Sequence, residues 1–193
     1  MTKPQLFMRH PDLTQLPGPP TLSRYALRAA DLANEHERAQ LADLLSAGFD
    51  TTWTPEEVAR TFSESEGVQA TYVATVQNEI VGTASARVLP ETYPDSGYLH
   101  YVAVRPTERG RHLGAAVTMT VLAHFLSQQL TVAVLETDDF RLPAIRTYLR
   151  LGFVPEYRQP EDELRWSLVL RSVLSSRPAS PPPAAHVQPS YAP

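Results

Sequence analysis

Residues 102–116 read Val102-Ala103-Val104-Arg105-Pro106-Thr107-Glu108-Arg109-Gly110-Arg111-His112-Leu113-Gly114-Ala115-Ala116. A short apolar run stops at a proline, two glycines follow, and from Leu113 an apolar stripe begins: Leu113, Val117, Val121, Leu122 and Phe125. That pattern predicts a strand, a loop and then a helix over 113–129. The first N–H groups of a helix have no intrahelical acceptor and attract an anion. Arg105, Arg109 and Arg111 flank them in a chain that is otherwise acidic, with 17 Lys and Arg against 21 Asp and Glu. A phosphate or pyrophosphate site and a solvated basic turn fit this stretch about equally. It is not a Walker loop, since no Gly-Lys-Ser/Thr follows, and the three-glycine dinucleotide spacing is missing.

Downstream, Thr131–Glu136 reads as a buried strand and Leu142–Leu151 as a short helix, with Pro143 early and Gly152 at its end. Upstream, Tyr25–Ala29 predicts a strand, 31–47 a helix, and Thr54-Pro55-Glu56-Glu57 the capped start of another through Phe62. Strands at 71–76 and 79–88 join through Gln77-Asn78 as a tight hairpin, and 98–104 makes the next strand. Phe153–Tyr157 and Leu164–Leu170 are expected to close the fold as strands. The order is an α/β arrangement of helices on a mixed sheet.

Two separated segments together are more specific than either alone. Val104-Arg105-Pro106, then Arg109 and Gly114, then Ala144, Tyr148 and Gly152-Phe153 resemble the acetyl-CoA-binding core of the GNAT (Gcn5-related N-acetyltransferase) superfamily. The detailed match covers residues 98–157. His112 stands where that family usually has its first motif glycine, and Arg141 where it has an asparagine. The resemblance implies a mixed, mostly antiparallel sheet flanked by helices. It also implies acetyl-CoA as co-substrate, with its pyrophosphate over the amides of Arg109, Gly110, Arg111, His112, Leu113 and Gly114. The pantetheine arm would pair with the backbone of Val102, Ala103 and Val104, and Arg141 would add a charged contact to the cofactor.

Acyl transfer to an amine needs a group that takes a proton and one that gives a proton. By this resemblance Tyr148, protonated at neutral pH, is the proton donor. Glu136, at the end of the strand before that helix, is similar to the glutamate base of GNAT enzymes that acetylate protein N-termini. A solvated strand-end carboxylate is the competing reading of Glu136. His100, expected to alternate with Val102 and Val104 on one strand face, is a rival base. With no cysteine in the chain, direct attack by the acceptor is expected in place of a cysteinyl acyl-enzyme. The acceptor, a small-molecule amine or a protein or peptide amine, would be chosen by the helices at 31–47 and 54–62 and the loop 89–97.

Composition sets the outer limits. Five of the 18 prolines lie in residues 1–22 and six in the last seventeen, so flexible Pro-rich segments are expected at 1–21 and 175–193 around a domain at 22–174. The net charge of −4 argues against a nucleic-acid or anionic-membrane partner. No apolar run reaches membrane-spanning length, no secretory apolar stretch opens the chain, and a cytoplasmic location is expected. The six histidines show no ligand-like spacing, so no metal is expected. Monomer and homodimer both remain open. Two alternatives are a catalytically silent CoA-binding regulatory module and a protein-interaction module served by the Pro-rich tail.

Overall fold

The stripe beginning at Leu113 is realised as a 15-residue helix, Leu113–Ser127, whose buried residues include Val117, Val121, Leu122 and Phe125. In the computed structural model, which describes residues 4–175 apart from 19, 21 and 50, this helix packs on one face of a seven-stranded sheet. Along the chain the elements are β1 (Leu6–His10), β2 (Ala26–Ala29), α1 (Glu35–Gly48), α2 (Pro55–Phe62), β3 (Val68–Val76), β4 (Glu79–Val88) and β5 (Ser96–Val104). Then come α3 (Leu113–Ser127), β6 (Val132–Thr137), α4 (Leu142–Arg150), β7 (Val154–Glu156) and α5 (Asp162–Ser175). The sheet order is β2-β3-β4-β5-β6-β1-β7, antiparallel throughout except for β5 with β6. Helices α3 and α4 bury the larger core on one face, built on Val117, Leu122, Phe125, Ile145 and Trp166. The second core, under α1 and α2, gathers Leu41, Leu45, Val58, Phe62 and Ile80.

Local signals behave as their chemistry dictates. Gln77 and Asn78 both have positive φ, 49° and 66°, the conformation a two-residue hairpin needs, and Val76 pairs with Glu79. Thr54 accepts from Glu57 N while the Glu57 carboxylate accepts from Thr54 N, completing the capping box on α2. Gly152 sits at φ 97°, and a Cβ there would lie 2.8 Å from His10 Nε2.

Two expectations are corrected. Residues 6–10 are not part of a flexible segment: β1 lies between β6 and β7, with Leu6, Phe7, Met8 and His10 buried. Averaging over a Pro-rich stretch hides this one apolar run, whose pairing partners lie more than 120 residues away. Residues 164–170 are helical, not a strand. Arg165, Trp166, Val169 and Val173 form the buried stripe of α5, a period of 3.6 that becomes visible only when the window extends past Leu170. Its buried Arg165 holds Asp162 at 2.9 Å and Asp139 at 2.6 Å. The expected tail lies outside the described residues beyond Ser175. No helix among the described residues is long and apolar enough to cross a membrane.

Candidate active site

The parallel pairing of β5 with β6 lasts for three residues, Ser96–Tyr98 against Val132–Val134. Beyond it β5 continues to Val104 along β4, while β6 continues to Thr137 along β1. The two strands therefore part, and the β6-facing edge of β5 from Leu99 onward carries no strand among the described residues. Val102, Ala103 and Val104 lie on this freed edge, where backbone groups need partners from outside the sheet. At the junction Gly97 leaves room for the Phe125 ring, which an added Cβ would meet at 2.3 Å.

Where β5 ends, a 3-10 turn at Pro106–Glu108 leads into α3. Gly110 and His112 both take positive φ, 79° and 62°. His112 is the N-cap residue, and no side chain caps the helix. Ala116 N–H is the first to reach a carbonyl of this turn, His112 O at 3.0 Å. The N–H groups of Leu113, Gly114 and Ala115 have no protein acceptor among the described residues. Arg109, Gly110, Arg111 and His112 are all exposed around them. Arg111 pairs with Glu108 at 3.3 Å, and Glu108 also accepts from the Tyr25 hydroxyl at 2.5 Å. Arg105 turns away, donating to Ile80 O at 3.3 Å. This loop has the composition of an anion cradle: free amides, no acidic cap, and a helix dipole behind them.

Tyr148 on α4 is buried in the larger core, its ring 5.8 Å from that of Phe153. Its hydroxyl has no protein hydrogen-bond partner among the described residues, and burial pushes its pKa well above the ordinary tyrosine value. A proton on this oxygen is therefore retained across the neutral range. Glu136 sits on the other face of the sheet, exposed on β6, and accepts from Tyr93 at 3.1 Å and Tyr98 at 3.2 Å. Burial and then the neighbouring Glu136 charge raise both phenols. Arg158 covers Phe7 and Tyr93, its guanidinium 3.1 Å and 5.4 Å from the two ring centres.

A bulge in β5 changes the expected strand face. Tyr101 adopts φ 46°, and the register with β4 jumps between Ser85–His100 and Thr83–Ala103. His100 consequently does not share a face with Val102 and Val104: those two pack into the larger core, while His100 stacks on Tyr98 and Tyr101 on the opposite side. Strict alternation fails because the extra residue advances the strand by half a period. Left-handed backbone at a tyrosine costs on the order of 1–3 kcal/mol. Contacts with Phe49, Trp53 and Phe62, at ring separations of 5.6, 5.1 and 5.2 Å, hold it in place. Burial, and then the nearby Arg87 charge, lower the His100 pKa to about 4, so its imidazole is neutral at pH 7.

Between this bulge and the α1–α2 connection lies a cavity of about 550 Å³, lined by Trp53, Arg60, Ser65, Arg87, His100 and Tyr101 among others. Its residues come from the α1–α2 connection, α2 and the turn after it, and from β4 and β5. Of the two helical segments expected to choose the acceptor, 54–62 contributes lining residues and 31–47 does not. Sequence reasoning missed Arg87 and Trp53, because no local motif marks them and only the fold brings them together. Arg141 is held elsewhere: it pairs with Asp138 at 2.9 Å, donates to Gly48 O at 3.3 Å and stacks 4.6 Å over Phe49. Among the described residues no cluster of three His, Cys, Asp or Glu is placed to hold a metal ion.

A parallel pair that splays, a bulge in one of its two strands and an uncapped helix start after that strand define the fold around the site. Residues 38–153 match the family described as "Acetyltransferase (GNAT) family", and the chain belongs to that family. A mycothiol acetyltransferase of Thermobispora bispora is 32% identical over 154 residues, covering 76% of this chain and 52% of that protein. A mycothiol acetyltransferase of Nocardia farcinica is 27% identical over 134 residues, 65% of this chain and 44% of the relative. The chain spans about half the length of the curated relatives it matches. Among solved structures, a Trypanosoma brucei acetyltransferase superposes with a TM-score of 0.56 at 26% identity, covering 70% of this chain and 96% of that one.

Proposed function

We propose that this protein is an N-acetyltransferase that moves an acetyl group from acetyl-CoA directly to an amine. The observation that carries this reading is the juxtaposition of the freed β5 edge with the unsatisfied amides of Leu113–Ala115. The residues present fit the co-substrate. Backbone of Val102–Val104 would take the amide-bearing arm, and the amides of Arg109–Gly114 the pyrophosphate, with Arg109 and Arg111 beside it. His112 fits there because its left-handed backbone is itself what opens the turn, and its side chain is exposed. Acetyl-CoA supplies the activated acyl group.

The protein supplies proton management and exclusion of water. Tyr148 donates its proton to the departing thiolate; burial keeps that hydroxyl protonated until the thiolate charge develops. Glu136 is the proposed base, taking a proton from the acceptor ammonium directly or through water, with its carboxylate aimed by Tyr93 and Tyr98. His100 is neutral and able to accept, but its lowered pKa makes it a poor base at neutral pH. The acceptor is a small-molecule amine in this reading, in line with the mycothiol acetyltransferase names of the curated relatives. Arg141, committed to Asp138 and Gly48, is assigned to fixing the end of α1 over the site rather than to the cofactor phosphates.

A thermal-shift titration with acetyl-CoA and free CoA tests the reading. Ligand at 100 times its dissociation constant adds about 2.7 kcal/mol, a rise of roughly 5–10 °C for a chain of this size. A rise with both, followed by thiol release in the presence of amines, is the expected result. No rise with either at millimolar concentration would overturn it.

A further inference from the structure

The cavity beside the β5 bulge carries a charge that the fold leaves unanswered. Arg87 gives its Nε–H to Glu66 O at 3.1 Å and an Nη2–H to Ser65 Oγ at 3.2 Å. No carboxylate lies within ion-pair range of it among the described residues, although the chain holds more acids than bases. The one acid among the cavity-lining residues, Glu57, is engaged by Thr54 N and approaches Arg60 at 4.0 Å, so it does not neutralise Arg87. Two ring nitrogens at the same cavity, Trp53 Nε1 and His100 Nδ1, are shielded from solvent and have no hydrogen-bond partner. The indole nitrogen can only donate. A half-buried guanidinium with no carboxylate partner among the described residues, facing one open space, calls for acceptor oxygens carrying negative charge.

We propose that this cavity binds an oxyanion, a carboxylate or phosphate, carried by the acceptor amine, with Arg87 as its counter-ion and Arg60 at the rim. The inference rests on the acetyltransferase reading and narrows its acceptor to small anionic amines. The anion enters on the α2 side of the bulge and leaves the amine end directed along β5 to the place where β5 and β6 part. Trp53 and Tyr101, whose rings meet edge to face at 5.1 Å, form the apolar wall against which the carbon chain of such a molecule packs.

The indole N–H resonance of Trp53 reports the site, and that of Trp166, fully buried in the other core, is an internal control. The full chain is titrated with O-phosphoethanolamine, β-alanine and ethanolamine, which carry a phosphate, a carboxylate and neither. Saturable movement of the Trp53 resonance with one or both anionic amines, and none with ethanolamine, is expected. Which of the two acts identifies the anion. Arg87→Gln weakens that binding about tenfold, and Arg60→Gln weakens it about threefold. The Arg60 side chain is 68% exposed, so its variant folds whatever becomes of the other. A Trp53 resonance unmoved by both anions, one moved equally by ethanolamine, or affinities unchanged in the folded variants overturns the proposal. Acetyl-CoA titrated into the same samples keeps the two readings apart: cofactor binding without an anion response rejects the acceptor class alone. An anion response without cofactor binding rejects the acetyltransferase reading.

Discussion

The Tyr98 hydroxyl donates to Glu136 Oε2 at 3.2 Å, tying β5 to β6 beside the last backbone pair between them, Tyr98 with Val134. A side-chain bond thus takes over where the ladder stops. Tyr93 supplies a second hydrogen bond to the other carboxylate oxygen, so Glu136 is held in one orientation although it is exposed. Glu136→Gln keeps the shape and removes the base. We expect kcat to fall about 10²-fold with the acetyl-CoA KM nearly unchanged. Steady-state kinetics at saturating amine checks this, and an unchanged kcat would reassign Glu136 to a structural tie.

Tyr148 presents the opposite case, a buried hydroxyl with no protein partner. Removing such a group leaves no donor or acceptor stranded, so Tyr148→Phe should be neutral or slightly stabilising. Turnover, by contrast, should fall on the order of 10²-fold, the usual contribution of a positioned acid. Thermal unfolding and thiol-release rates measured on the same preparation separate the two effects. Equal turnover in the two proteins would remove Tyr148 as the proton donor.

The lowered pKa of His100 makes stability depend on acid pH. In the unfolded chain its imidazole protonates near 6.5, but in the fold only near 4. Between those values the unfolded state binds the extra proton, so stability falls as pH falls, by on the order of 3 kcal/mol across the window. Above pH 6.5 this contribution is constant. His100→Phe, whose ring can keep the stacking on Tyr98 and Tyr101, should flatten the slope between pH 6.5 and 4. His10 and His124 are also lowered by burial and leave a residual slope in both proteins. Urea midpoints across that range decide the matter, and parallel curves would refute it.

Features set by neighbouring residues are legible in the chain; features set by distant ones are not. Gln77-Asn78 and the Thr54–Glu57 box specify their own geometry, so the hairpin and the start of α2 follow directly. The β5–loop–α3 unit is likewise local, and with it the uncapped helix start. β1 is recognisable only through its partners in β6 and β7, since five residues between prolines carry no period of their own. The strand expected at 164–170 failed because seven residues do not distinguish the two periods when Leu164 and Leu168 are exposed. The Tyr101 bulge is invisible because tyrosine gives no signal for positive φ; the aromatic cluster of Phe49, Trp53 and Phe62 enforces it. Arg87 becomes a site residue only through what β4 lies beside.

Gly97 and Gly114 separate packing from binding. At Gly97 a Cβ would lie 2.3 Å from the Phe125 ring, in the three-residue junction where β5 still pairs with β6. Gly97→Ala should cost about 1–3 kcal/mol by overpacking, read as a lower urea midpoint.

At Gly114 a Cβ would meet only Val104 Cγ2, at 3.7 Å, and its backbone is already helical. Gly114→Ala should therefore leave the fold intact and raise helix propensity. Gly114→Glu goes further, placing a carboxylate in the first turn of α3, where the dipole favours negative charge by about 0.3–1 kcal/mol. The same carboxylate occupies and electrostatically opposes the place assigned to the pyrophosphate. Stability should hold or rise while the acetyl-CoA dissociation constant increases at least about tenfold. Calorimetric binding alongside thermal unfolding tests both halves together. Unaltered affinity with an unaltered fold would place the anion away from the start of α3. Lost stability would show that the space at residue 114 is filled by something other than ligand.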